Sequence, residues 1–322
     1  KKLILKSSGL DEEEFNDYIK NKGMLVDIPL KFPIKEMDQK EIFITDIVSR
    51  YSKENLLSHV IGYINKSENR GEAGIEKVYD DILKNSRNDS LCIELDKRRN
   101  IILGTEYLVD QKNYPYNPGG VKLSIDYHIQ KNTEKILDKE NKNGGVIIVE
   151  TKTGDIVTMI SRPNFNQDDI DQYLNRDDMA LYNKTIQVAY PPGSLFKTVV
   201  LLAALEEDLS YVNKEFYCRG YEKINNTTIK CSNEGGHGSL TLKEAFSKSC
   251  NSAFIQLGKE IGSENIMDMA KRLGFNHKIG IGLMEEVEGN LPCGNELKGP
   301  SVGNISIGQG SIEVTPLQIS NM

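Results

Sequence analysis

Ser194-Leu195-Phe196-Lys197 sets a hydroxyl and an amine three residues apart, the spacing that brings two side chains onto one helical face. Such a pair can act as a nucleophile with its own general base. Tyr190-Pro191-Pro192-Gly193 ends any preceding helix, and Thr198-Val199-Val200-Leu201-Leu202-Ala203-Ala204-Leu205 supplies helix formers, so Ser194 falls at or beside a helix N-terminus. Free N–H groups and the helix dipole there favour a developing alkoxide. A four-residue pattern with two free positions is also met by a plain helix cap and a solvated lysine. Two features favour chemistry. This is the only S-x-x-K in the chain, and the apolar run after Lys197 places the amine in or at the edge of a core. Desolvation there lowers the lysine pKa toward that of a working base.

The elements that must position this pair can be read in outline. The chain has 322 residues, enough for two domains with substantial cores, and a net charge of −7 with 47 acidic residues argues against nucleic acid as a partner. Residues 1–120 are charged and irregular, with helical spacing at Leu10–Asn21 and Ile75–Leu83 and a short apolar segment at Asn55–Ile64. Tyr114-Pro115-Tyr116-Asn117-Pro118-Gly119-Gly120 is turn-rich and marks a boundary, giving domains 1–120 and 121–322. Beyond it, Val121–Ile125 reads as a strand, and Asp126 caps a helix over Tyr127–Asp138. Val146–Glu150 and Ile156–Ile160 read as a hairpin turning at Thr151-Lys152-Thr153-Gly154-Asp155. Helices are expected at Leu240–Phe246, Asn251–Ile261 and Glu264–Leu273. Thr315 and Pro316 open another. A strand pair with helices before and after it predicts an α+β fold. No run of about eighteen apolar residues is present, and the ends look cut, so an anchor or a further catalytic element is expected outside the window.

An acyl-transfer site also needs a group to relay the leaving-group proton. Ser249-Cys250-Asn251 lies 55 residues after Ser194 and is followed by the apolar helical run Ala253-Phe254-Ile255-Gln256-Leu257. The same S-x-N pattern at Ser67, Ser86 and Ser263 is explained by turns and caps. With Pro-Pro-Gly-Ser-Leu-Phe-Lys followed by Ser-Cys-Asn, the chain resembles the transpeptidase domain of class B penicillin-binding proteins. Gly71-Glu72-Ala73-Gly74-Ile75-Glu76 with Tyr79-Asp80 is similar to the family's pedestal motif, and Leu123-Ser124-Ile125-Asp126 with Gln130 to the start of its catalytic domain. Gly236-His237-Gly238-Ser239-Leu240-Thr241, Gly308-Gln309-Gly310 and Thr315-Pro316-Leu317-Gln318 match later landmarks.

The resemblance implies a penicillin-binding-protein and serine β-lactamase-like fold, truncated at its C-terminus and preceded by a smaller pedestal or dimerisation-like α+β domain. It implies that Ser194 attacks the penultimate carbonyl of a D-Ala-D-Ala stem peptide, with Lys197 taking the serine proton. Ser249 would pass a proton to the leaving amine, and Asn251 would bind the substrate backbone. The acyl group then goes to an amine of a neighbouring stem, and β-lactams trap Ser194. It also implies the extracytoplasmic face of a bacterial cell membrane, an N-terminal anchor, and a membrane glycan polymerase as partner. The family's third motif, K-[ST]-G, belongs after Gly308-Gln309-Gly310, where the chain ends; Lys152-Thr153-Gly154 spells it in a hairpin turn, as a chance match.

Five cysteines, an odd number, cannot all pair internally. Cys218, Cys231, His237 and Cys250 form a compact set of three thiols and one imidazole, enough for a closed tetrahedral zinc site. The alternative is a Cys218–Cys231 disulfide, with Cys250 as a small buried residue. The resemblance adds that some elongation-type relatives hold zinc at similar places. Cys92 and Cys293 fall outside the set. The leading function is a crosslinking acyltransferase. A D,D-carboxypeptidase or β-lactamase-type hydrolase and a non-catalytic wall-binding or β-lactam-sensing module are the other readings. Acyl transfer itself needs no cofactor.

Overall fold

The computed structural model describes residues 1–20, 28, 30–32, 34, 50–84, 89–92, 96–98, 102, 108–111 and 119–322. The chain divides into two compact units, Lys1–Arg50 and Tyr51–Met322. In the first, α1 (Lys2–Ser8) ends on Gly9 in the left-handed conformation, and α2 (Glu12–Lys20) carries three glutamates in its first turn, where they complement the helix dipole. The boundary expected at 114–120 falls largely outside the described residues.

The second unit begins with short elements: α3 (Ser58–Ile61), β1 (Ile64–Asn65), β2 (Arg70–Gly71), α4 (Gly74–Val78), α5 (Asp80–Leu83), β3 (Asp89–Cys92) and β4 (Leu108–Gln111). The helical spacing over Ile75–Leu83 is thus split at Tyr79, which caps α5. Val121–Ile125 is not a strand. It runs beside the next hairpin with single bonds from Ser124 Oγ to the Ile156 carbonyl and from Asp126 N to that of Val157, while Leu123 and Ile125 turn into the core. Asp126 does cap α6 (Tyr127–Lys139), accepting from His128 N and Ile129 N.

The expected hairpin forms as the antiparallel pair β5 (Gly144–Val149) and β6 (Ile156–Arg162), with Lys152, Thr153 and Gly154 exposed in its turn. Arg162 at its end is 5% exposed and pairs with Glu134 at 3.0 Å, also bonding Asp138, so α6 is bolted to the sheet by ions. A 3-10 turn over Gly193–Phe196 leads into α7 (Lys197–Glu207). Next come β7 (Glu215–Cys218), β8 (Tyr221–Ile224), β9 (Thr227–Lys230) and β10 (Gly238–Thr241). β7 pairs with β10, and β8 with β9. Helices α8 (Leu242–Ser247), α9 (Asn251–Ile261), α10 (Ser263–Arg272), α11 (Ser301–Ile305) and α12 (Pro316–Asn321) complete the unit.

The main core lies where α7, α9 and α10 meet. Phe196, Val199, Val200, Ala203 and Ala204 face Phe254, Leu257, Ile266 and Ala270, all nearly or fully buried. Each large side chain buried this way stabilises the fold by about 1.5–3 kcal/mol. α9 also crosses α11 closely. A Cβ on Gly258 would meet Ser306 Oγ at 1.9 Å. α12 opens with the expected Thr315 cap and Pro316 in the first turn, and Gln318 closes the cap into a capping box. Among the described residues, no helix is long and apolar enough to cross a membrane.

Candidate active site

Ser194 is exposed in the 3-10 turn, and Lys197, the first residue of α7, is 1% exposed. The apolar helix behind it buries the lysine stem, and its amine emerges among polar groups. Lys197 Nζ lies 3.3 Å from Ser194 Oγ, 3.0 Å from Ser249 Oγ, 2.7 Å from the Ser249 carbonyl and 2.7 Å from Asn251 Oδ1. The four residues singled out in the sequence therefore converge on one nitrogen. Phe254 lies below it, with its ring centroid 5.7 Å from Nζ. Burial pushes the Lys197 pKa below its ordinary value, while the nearby Cys231 and Cys250 thiols pull the other way. The neutral amine so favoured can accept a proton from Ser194.

The backbone fixes both sides of this site. Gly193 has φ +58°, and its N–H donates to the Gly308 carbonyl at 2.9 Å. Gly308, at φ +68°, packs so closely that a Cβ there would meet Gly193 O at 2.2 Å. On the other side Ser249 sits in the left-handed region at φ +49°, in the turn between α8 and α9. For a non-glycine residue that conformation costs about 1–3 kcal/mol and persists only where the surroundings impose it. Here Ser249 N donates to Phe246 O and Cys250 N to Ala245 O. Asn251 is steadied by donation from its Nδ2 to the Lys230 carbonyl at 3.1 Å. This anchor is a backbone carbonyl and has no side-chain signature, whereas the β8–β9 hairpin that carries it does: Asn225-Asn226 lies between two β-rich runs, with Asn225 at φ +52°. Gly308 also has one, through Gly308-Gln309-Gly310.

Beside the serine–lysine pair, Cys218 at the end of β7, Cys231 after β9, His237 before β10 and Cys250 capping α9 bring their ligand atoms within 4.8 Å of one another. Cys218 Sγ and Cys231 Sγ lie 3.5 and 3.6 Å from His237 Nδ1, and Cys231 Sγ lies 3.8 Å from Cys250 Sγ. Zinc–sulfur bonds of about 2.3 Å and zinc–nitrogen bonds of about 2.0–2.1 Å at tetrahedral angles require about 3.6 Å between N and S and about 3.8 Å between sulfurs. The donor set fits a zinc ion. Cys218, Cys231 and Cys250 are buried free thiols. Burial pushes the Cys231 thiol up, but the N–H groups of Asn233, Ser252 and Asn251 outweigh it and bring the pKa to about 6. Burial pushes Cys250 up to about 12. Cys293 is exposed.

The sequence profile of the penicillin binding protein transpeptidase domain matches residues 144–322, and the chain belongs to that family, in its class B branch. It is 33% identical over 298 residues to stage V sporulation protein D of Bacillus subtilis, covering 88% of this chain and 44% of that protein. Against peptidoglycan D,D-transpeptidase MrdA of Acinetobacter baumannii it is 26% identical over 314 residues, covering 86% of this chain and 45% of that protein. Among solved structures, the complex between penicillin-binding protein PBP2 and MreC from Helicobacter pylori contains a chain that superposes with a TM-score of 0.66 at 25% identity, covering 84% of this chain and 55% of that one. This chain spans less than half the length of the two curated relatives.

Proposed function

We propose that this chain carries the acyl-transfer site of a peptidoglycan D,D-transpeptidase. The observation that supports it most is the convergence of Ser194, Ser249 and Asn251 on the buried Lys197 amine. In this reading Ser194 Oγ attacks the penultimate D-Ala carbonyl as its proton passes to Lys197 Nζ. The tetrahedral intermediate then collapses, and the terminal D-alanine leaves after its nitrogen takes a proton relayed through Ser249. An amine from a second stem peptide attacks the acyl-enzyme, forms the crosslink and returns Ser194 to its hydroxyl form. Asn251 exchanges its contact with Lys197 for the substrate backbone. β-Lactams acylate the same oxygen.

Cys218, Cys231, His237 and Cys250 would hold a structural zinc ion. When bound, the ion supplies rigidity and takes no part in acyl transfer. Cys250, between Ser249 and Asn251, would then be tied to the loop carrying Cys231 and His237. Residues 1–120 are read as a pedestal and 121–322 as the catalytic domain. An N-terminal membrane anchor, an extracytoplasmic location and a membrane glycan polymerase partner follow from the family reading.

The test is covalent labelling. Protein expressed from its full gene and incubated with a penicillin should gain one adduct by intact mass, mapped by peptide analysis to Ser194. An adduct that persists in Ser194→Ala refutes the assignment.

A further inference from the structure

The Gly71–Glu76 motif plays no part in the acyl-transfer chemistry, yet it forms one wall of a cleft of about 380 Å³. That volume falls in the range of small-molecule sites, about 300–1,000 Å³. The wall is rigid, because a Cβ on Gly62 would meet the Ala73 carbonyl at 1.8 Å and one on Gly74 would meet that of Val60 at 2.5 Å. Glu285 packs against this wall, its carboxylate accepting from Gly74 N at 3.0 Å. Phe165, 2% exposed, forms the floor, with Tyr63 edge-on to it at 6.0 Å. Tyr182 stands at the mouth, 48% exposed.

The polar groups narrow the ligand. Glu72 is already neutralised by Arg70 at 2.7 Å, and Lys77 is exposed with no ion pair among the described residues. With Glu285 opposing Lys77, the cleft carries almost no net charge, so it is not built for a strong anion or cation. It offers carboxylates that accept from hydroxyls, one free ammonium that donates to a carbonyl, and tyrosines that cover an apolar ring face. An acetamido sugar presents all three complements.

We propose that this cleft binds an N-acetylhexosamine unit of a glycan strand. The proposal rests on the transpeptidase reading only for the identity of the polymer. Gln187, which also lines the cleft, precedes Ser194 by seven residues, so the two are at most about 25 Å apart along the chain. An extended stem peptide of four or five residues spans about 13–18 Å. That bound is of the same order as the reach of a stem, so a strand seated here lies near enough to present a stem, from this or a neighbouring sugar, to the nucleophile.

The experiment is saturation-transfer NMR on the whole protein with chitotriose as probe and maltotriose, which lacks acetamido groups, as comparison. Transfer to chitotriose should be clear and transfer to maltotriose much weaker. Tyr182→Ala and Lys77→Ala, both at exposed positions, should each weaken chitotriose binding about tenfold, equivalent to about 1.4 kcal/mol. Penicillin labelling of Ser194 should be unchanged in both variants. Absence of transfer, equal transfer to maltotriose, or affinity unaltered by both substitutions overturns the proposal. Loss of Ser194 labelling from the parent protein with sugar binding intact would instead overturn the transpeptidase reading and leave the cleft standing.

Discussion

Replacing Gly308 by alanine should damage the nucleophile while leaving most of the fold in place. A Cβ at this position would lie 2.2 Å from Gly193 O and 2.6 Å from Phe196 Cβ, and both atoms belong to the turn that presents Ser194. Real Cβ contacts stay above 3.0 Å, so the Gly193 peptide must retreat by about 0.8 Å. Ser194 Oγ is already 3.3 Å from Lys197 Nζ, and a displacement of that size takes it out of hydrogen-bond range. Misplacement of a reacting group by about 1 Å lowers rates by about 10²-fold. Gly310→Ala supplies the control. Gly310 also has positive φ, +88°, but its Cβ would meet nothing closer than Asn304 Cβ at 3.5 Å. Both variants carry the penalty of a side chain at positive φ, about 1–2 kcal/mol, and only Gly308→Ala adds the collision. Stopped-flow acylation by a chromogenic cephalosporin, with melting temperatures measured alongside, separates them. Equal acylation rates in the two variants would refute the view that Gly308 sets the position of Ser194.

Lys197→Met keeps the buried stem and removes the amine, so acylation should fall by about 10² to 10⁴ with little change in melting temperature; near-normal acylation would mean another base. Because burial lowers the Lys197 pKa, the unfolded chain binds more protons than the folded one between that lowered value and the ordinary 10.5. Stability from this group should therefore rise with pH across that window, and the acylation rate should climb as pH passes the folded pKa, a limb that must vanish in Lys197→Met. The protein should contain about one zinc per chain by elemental analysis, and strong chelators should lower its melting temperature. Cys231→Ser should do the same and slow acylation. A protein without metal but with a two-hydrogen mass deficit would establish a disulfide instead.

Much of the site was legible because its parts are contiguous. Ser194 and Lys197 share a turn, and Ser249-Cys250-Asn251 opens α9 at the predicted residue. Asp126 and Thr315 capped their helices because side-chain capping is local. The failures are equally physical. Val121–Ile125 alternates like a strand, but only scattered bonds to the β5–β6 hairpin are made, so no ladder forms. Ile75–Leu83 has helical periodicity, yet Gly71 N donates to Asp80 Oδ1 at 2.9 Å, which anchors a second helix start. The carbonyls of Lys230 and Gly308 are invisible to any reading of side chains, since every residue has a carbonyl. The Gly308 contact is at least announced by a glycine.

The acceptors around Lys197 come from positions 3, 52 and 54 residues away. Docking α7 into its core removes water from the Lys197 amine whether or not the α8–α9 turn has arrived, and a buried polar group left without hydrogen-bond partners costs about 1–3 kcal/mol. A partly assembled chain is therefore penalised at the very atom its chemistry needs. The base acts as a latch on cooperativity, so loosening of the Ser249 turn and loosening of the α7 core should belong to a single opening unit, and a chain with an ordered core and an idle, half-built site has little free-energy ground to stand on.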